Sequence, residues 1–353
     1  MKRYLIIFSV SVLLGLSIKS SGQDVHFSQF YENAILRNPA LTGIFSDEYK
    51  VGLDYRSQWG NFAKPYTTTM VSGETRILVN REVGDYLSFG LVATFDKAGS
   101  INFTSTQIYP AISYNKAMED EHNTYISVGL TGGYITRSVD QGLFMTSNQY
   151  QQGQYLSTNP TGETGVFKNL NNYDVGAGVS LNSSLDLNSS LNYYLGVSAY
   201  HINSPTEIFN GGDVLVKLPI KFQMAAGFHC PLGEKFSFTG HTNYTIQHPY
   251  GEFLVGGYFT YKSWPPGMPS IFSFSFGAMY RYQDAFIPTV KVDYKNISIG
   301  YSYDVNNSSL SAGTNGVSAT EITLYIRGSY LHRKDPRDPV MCPRFAEPVN
   351  NYR

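Results

Sequence analysis

Apolar and polar residues alternate along most of the chain. Leu87, Phe89, Leu91, Ala93 and Phe95 share one parity, and Ser88, Gly90 and Thr94 share the other. Ile126, Val128 and Leu130 alternate with Ser127, Gly129 and Thr131; Phe272, Phe274 and Phe276 alternate with Ser273, Ser275 and Gly277. A period of two puts successive side chains on opposite faces of a strand. The pattern predicts 14 strands, at 48–58, 67–77, 86–95, 104–115, 123–136, 173–182, 190–201, 217–229, 236–247, 252–262, 271–282, 286–294, 297–304 and 320–332. Most have about the 9–11 residues that a tilted strand needs to cross a bilayer. Beyond the N-terminal leader no run of about 18 apolar residues occurs, so transmembrane helices are excluded.

The connections test this pattern separately. If the first strand starts in the periplasm, the outer connections are 59–66, 96–103, 137–172, 202–216, 248–251, 283–285 and 305–319. The three longest all fall on that side, as in bacterial outer-membrane barrels. The expected fold is therefore all-β: a transmembrane antiparallel up-and-down barrel of about 14 strands, with both chain ends periplasmic. A soluble sandwich shares the alternation but gives no reason for the loop asymmetry, and no propeller-like repeat is visible.

Composition adds the environment. Charged residues are only 15% of the chain, with 28 Tyr and 33 Gly; soluble domains carry about 25% charge. Met1–Ser20 has a basic start at Lys2 and Arg3, an apolar core and small residues before Gln23, which reads as a secretory signal. The expected division is a signal peptide at 1–22, an N-terminal plug-like segment at 23–47, a barrel at 48–333 and a periplasmic tail at 334–353. Without Lys2, Arg3 and Lys19 the balance is 23 basic against 27 acidic residues, which gives no reason to expect a nucleic-acid partner. Outer-membrane lipid is the implied surrounding.

The inward parity carries Lys50, Asp54, Arg56, Glu74, Arg76, Lys221, His241, Arg281, Lys291, Asp293, Glu321 and Arg327. A selective ion pore favours one sign at its constriction; mixed signs fit paired side chains and inserted backbone, or a merely solvated lumen. No G-x-S-x-G, H-E-x-x-H, C-x-x-C or phosphate loop appears, so no catalytic, metal or cofactor site is expected. His201, at a strand end, is the best candidate base, but a structural histidine is the simpler reading. Cys230 and Cys342 both fall on the periplasmic side of this topology; they form one disulfide or remain two thiols.

The stretch "QDVHFSQFYENAILRNPALTG", Gln23 to Gly43, has neither helical nor strand periodicity. Phe27, Phe30, Tyr31, Ile35 and Leu36 need cover that only the lumen or inner rim supplies. Asn38-Pro39 ends any short helix at Arg37, because the residue before proline avoids the helical region. A plug filling the lower barrel is expected.

Particular blocks resemble the PorP/SprF family of Bacteroidetes outer-membrane proteins. They are "FSQFYENAILRNPALTG" at the mature start, "YRSQW" (Tyr55–Trp59), "YDVGAGVSL" (Tyr173–Leu181), "GVSAYHINSPTE" (Gly196–Glu207), "LPIKFQMAAGF" (Leu218–Phe228), "DAFIPTVKVDYKNISIGYSYDVNNSSL" (Asp284–Leu310), "TEITLYI" (Thr320–Ile326) and "CPRF" (Cys342–Phe345). The resemblance implies a non-enzymatic barrel, without cofactor, linked to type IX secretion and gliding motility. It implies two kinds of partner: periplasmic secretion or motility components, and a secreted adhesin whose type B C-terminal domain is exported and held at the surface. In the family-like blocks, His201, Asn203 and Pro205, and Tyr303, Asp304 and Ser308, stand beside outer loops and are the candidate partner-facing residues, although turn-making explains Asn, Pro and Asp equally well. A channel for a small or hydrophobic solute, gated by the start segment, is the alternative function.

Overall fold

The computed structural model describes residues 24–330 except 46, 61–62, 81, 119, 152, 163–168, 186–190, 208–215, 264–270 and 308–315. The signal peptide, the tail, Cys342 and Ser308 therefore lie outside the described residues, and so does the pairing of Cys230 with Cys342. Fourteen antiparallel strands form a closed barrel. They are β1 Tyr49–Gln58, β2 Tyr66–Asn80, β3 Asp85–Ala98, β4 Phe103–Ala117, β5 Tyr125–Ser138, β6 Leu170–Ser184, β7 Asn192–Tyr200, β8 Lys221–Leu232, β9 Phe236–Gln247, β10 Tyr250–Lys262, β11 Phe272–Arg281, β12 Ala285–Tyr294, β13 Ile297–Asn306 and β14 Val317–Gly328. Each strand pairs with its chain neighbour, and β1 closes the barrel on β14 from Tyr49↔Gly328 to Gln58↔Ala319.

The strands fall within a few residues of the expected runs. The largest shifts are at β14, expected to end at 332 and found to end at Gly328, and at β8, expected from 217 and found from Lys221. There Val216–Lys217 pairs instead with Thr206–Glu207 in a two-stranded ribbon, and the Leu218 amide donates to the Pro205 carbonyl at 2.9 Å. Cys230 consequently lies inside β8, opposite Phe238, rather than at its end.

Burial follows the same parity as the sequence. Outward residues such as Leu91, Val128, Leu130, Phe222 and Phe276 are exposed and apolar, while their inward neighbours are buried and polar. An apolar exterior around a polar interior is the arrangement of a membrane barrel. No helix among the described residues is long and apolar enough to cross a membrane.

Two rims differ. One carries the connections 59–65, 99–102, 139–169, 201–220, 248–249, 282–284 and 307–316, and is called the loop rim below. The other holds the starts of β1 and the end of β14.

Residues 24–47 pack against the inward-facing side chains. Three short helical turns, Phe30–Glu32, Ala34–Arg37 and Pro39–Leu41, form their regular structure. Asn38 separates the last two. Its backbone is extended, as a residue before proline requires, and its Oδ1 accepts from the Ala40 amide at 2.9 Å, capping the turn that Pro39 opens. The segment is not confined to the rim near β1. Asp24 meets Lys221, Gln107 and Gln247 at the loop rim, and Phe45 meets Arg76 near the opposite rim. The expectation put both chain ends at one rim. Both ends lie outside the described residues; Asp24 itself is held at the loop rim by Lys221 and Gln107, while Gly328 ends β14 at the opposite rim.

Candidate functional site

The inward face and the segment meet polar group by polar group. The Ser28 and Gln29 amides each donate to one oxygen of Glu321 at 2.7 Å. The Gly43 amide donates to Glu74 at 2.9 Å. Where the segment presents carbonyls, the barrel presents donors: Lys50 to the Glu32 carbonyl at 2.8 Å, Arg76 to that of Phe45 at 2.7 Å, Ser198 to that of Arg37 at 2.8 Å and Gln223 to that of Leu36 at 3.1 Å. Irregular backbone at membrane depth survives only when its polar groups are satisfied in this way.

A hub of charges surrounds Ser28. Its hydroxyl lies 2.7 Å from one Asp304 carboxylate oxygen, and accepts from Arg56 at 2.5 Å and Arg281 at 3.0 Å. Arg56 also pairs with Asp304 at 2.9 Å and Glu321 at 3.2 Å. Lower down, Glu32 pairs with Lys291 at 2.6 Å and Lys50 at 3.6 Å. Burial alone would raise the Glu32 pKa, but Lys291 and Lys50 hold it well below the usual carboxylate range.

At the loop rim Asp24 accepts from Lys221 at 2.5 Å and faces His201 Nε2 at 3.5 Å. His201 Nδ1 lies 2.8 Å from Asp174, which also accepts from the Tyr109 hydroxyl at 2.7 Å. Burial disfavours the charged imidazole, yet Asp174 and Asp24 raise its pKa overall. Burial likewise opposes ionisation of Asp24, but Lys221 and His201 lower its pKa well below the ordinary value. Burial lowers the His26 pKa to about 4, against the smaller opposing effect of Glu252.

Glycines on the inward parity make room for the chain. A Cβ at Gly129 would stand 2.2 Å from the Pro39 carbonyl carbon. One at Gly178 would stand 2.0 Å from Asn38 Oδ1, whose amide nitrogen donates to the Val179 and Val197 carbonyls at 3.0 and 3.2 Å. These glycines are seats for the segment around its Asn38-Pro39 corner.

The residues singled out in the sequence are distributed as follows. Phe27 and Phe30 are buried, Phe27 packed with Ile35, Met70 and Tyr109, and Phe30 with Leu254 and Met279. Tyr31 stacks on His241 at 5.1 Å between ring centroids. His201 and Asp304 are fully buried and turned to the interior, not to a partner-facing surface. Asn203 braces the loop rim, donating to the Tyr173 carbonyl at 2.6 Å, while Pro205 anchors the ribbon described above. Tyr303 is on the outward parity of β13. Asp174, Glu252 and Asp24 were not singled out. Asp174 and Glu252 stood on inward positions of strands whose parity was legible, so parity was the signal that would have found them.

The family described as "Type IX secretion system membrane protein PorP/SprF" matches residues 19–325. The chain belongs to the PorP/SprF family. No curated protein matches it. Among solved structures, a Pseudomonas aeruginosa FadL homologue is similar, with a TM-score of 0.52, 8% identity and coverage of 82% of this chain and 91% of that one. The Ralstonia pickettii toluene transporter TbuX matches with a TM-score of 0.47 and 12% identity, over 84% of this chain and 93% of that one. At 8% identity the likeness to the FadL homologue is one of fold. The PorP/SprF chain is thus an outer-membrane barrel of the type IX secretion family.

Proposed function

We propose that this PorP/SprF member is a non-enzymatic barrel that helps export a secreted surface adhesin and anchors it through its type B C-terminal domain. In this reading the loop rim faces the outside, and the opposite rim meets periplasmic secretion or motility components. One observation carries the proposal: the charged inward face is engaged by residues 24–47, so a large partner is met at a rim and not inside the barrel. The 139–169 connection supports it. It exposes Met145, Tyr150 and Leu156, and is braced by the Thr146–Gln149 capping box. Aromatic and amide side chains of this kind make adaptable contacts.

The test is photo-crosslinking from position 145 or 150 in cells of the native host. A crosslink to a large exported polypeptide supports the proposal. Crosslinking to lipid alone, with the barrel correctly inserted, refutes it. A channel requires the segment to leave the lumen, and steady single-channel conductance of the unmodified protein would favour that reading instead.

A further inference from the structure

Between the segment and β8–β10 lies a cavity of about 70 Å³. At about 10–15 Å³ for each water, it has room for roughly five waters or one small organic molecule. Phe27, Phe30 and Leu36 form its apolar side, with Leu254 facing them. Arg37 also lines it, and its side chain is placed unlike those of Arg56, Arg281 and Arg327. Arg56 pairs with Asp304 and Glu321, Arg281 with Asp304 and Glu252, and Arg327 with Asp293. Arg37 is only 7% exposed, yet no carboxylate oxygen lies within 4.0 Å of its guanidinium among the described residues. It donates to the Tyr194 hydroxyl and lies over the Tyr194 and Phe30 rings, at 5.1 and 5.9 Å from their centroids. Its Nε, like those of Arg281 and Arg327, has no hydrogen-bond partner among the described residues. Two further buried atoms on the lining are also unpartnered: Asn33 Nδ2 and Asn243 Oδ1.

A buried guanidinium without a counter-charge is strongly disfavoured, and ring faces compensate it only in part. The other charges at the cavity are already matched: Lys221 is held by Asp24 at 2.5 Å, and Glu252 faces Arg281 at 3.3 Å. That leaves the Arg37 guanidinium without an ion pair at the cavity among the described residues. We infer that this cavity binds a small organic monoanion, a carboxylate on Arg37 Nε with an apolar body along Phe27, Phe30 and Leu254. The geometry selects against a phosphate, which brings a second negative charge for which no second unpaired cation lines the cavity among the described residues, and has no use for the apolar wall. Asn33 Nδ2 supplies a second donor to the carboxylate. Asn243 Oδ1 would accept from a hydroxyl or amide on the ligand body. Because the segment contributes Arg37 and much of the wall, the ligand would bridge segment and barrel and hold them together. The inference stands whether or not the barrel anchors an adhesin.

The test uses the full-length protein in lipid nanodiscs. Benzoate and octanoate are titrated against their neutral counterparts benzamide and octanamide, with saturation-transfer NMR or calorimetry as the readout. Saturable binding of the acids, with the amides at least about tenfold weaker, is expected from the loss of a charge-assisted hydrogen bond. Arg37→Gln should weaken the acids by about tenfold or more and leave the amides unchanged, while Arg37→Lys retains part of the affinity. Heat-dependent gel mobility checks that each variant is folded. If Arg37→Gln does not fold, Leu254→Phe, which narrows the cavity, should weaken octanoate more than benzoate. Equal binding of acids and amides, unchanged binding in Arg37→Gln, or no saturable binding of either acid to the wild-type protein overturns the inference.

Discussion

Glu321→Gln is the sharpest perturbation of the contact between segment and barrel. The substitution keeps the shape of the side chain but replaces one carboxylate oxygen by an NH2. Both oxygens now accept from backbone amides, Ser28 at one and Gln29 at the other, each at 2.7 Å. Whichever way the new amide turns, one of these N–H groups faces a donor. A hydrogen bond to a charged group contributes about 1.5–3 kcal/mol, and leaving its buried partner unsatisfied costs about 1–3 kcal/mol. Arg56 loses the charge at 3.2 Å but keeps Asp304 at 2.9 Å, so the ion-pair contribution is largely retained. A net destabilisation of about 3 kcal/mol follows for the seated segment. Since 1.4 kcal/mol is a factor of ten, the population with the segment opened rises roughly 100-fold. Hydrogen–deuterium exchange of the full chain in nanodiscs reads this directly. Amides of residues 28–33 should exchange roughly 100-fold faster, with the strand amides unchanged. Exchange within about threefold of wild type would refute the reasoning, as would equal acceleration across the strands, which would make Glu321 a brace of the barrel and not of the segment.

Other substitutions separate the remaining contributions. Gly129→Val places a side chain where Pro39 and Ala40 now sit and should make the segment protease-sensitive, whereas Gly132→Val, with nothing within 4 Å of its Cβ position, should not. The two rim histidines give opposite pH limbs. The raised pKa of His201 makes its contribution complete below 6.5 and lost as pH rises through the folded value; the His26 pKa of about 4 penalises the seated segment as pH falls from 6.5 toward 4. Segment protection measured against pH should therefore lose its alkaline decline in His201→Gln and part of its acid decline in His26→Gln; a wild-type profile flat from pH 4 to 9 would contradict both. Val128→Arg puts a charge on the outward face of β5 and should destabilise the barrel by about 2–4 kcal/mol if it lies near the bilayer midplane, measured by urea unfolding from vesicles.

The barrel was legible because one physical constraint repeats along the chain. Lipid outside and polar partners inside force strict parity, so runs such as Leu87–Phe95 announce both a strand and its facing. The same parity placed Arg56, Glu321 and Arg281 inside, but not with whom they pair, because pairing depends on neighbours across the lumen and on residues hundreds of positions away. Asp304 illustrates the loss. In "SYDVNNSS" it reads as a turn-former beside a loop, yet it is the carboxylate that both hub arginines share. His201 likewise reads as a strand-end residue, and stands between two carboxylates, Asp174 and Asp24, only because Asp24 arrives from the segment. The direction of the segment was illegible for a different reason. Without periodicity, residues 24–47 have no local rule to set their path, and their course is fixed by partners on seven or more strands.

Those partners explain why the interior carries both signs. Irregular backbone exposes N–H and C=O groups in no regular order, and each needs its own complement. Carboxylates lie where amides point, Glu321 beneath Ser28 and Gln29, and Glu74 beneath Gly43. Cations lie where carbonyls point, Lys50 at Glu32 and Arg76 at Phe45. A water-filled pore imposes no such match, since water satisfies either sign. The inward face is thus written for this one segment, and a sequence that changes the segment without the face, or the face without the segment, strands buried polar groups on both. Arg37 is the departure from that correspondence: among the described residues it meets rings and a hydroxyl but no carboxylate within 4.0 Å, which is why an anion is expected from outside the chain.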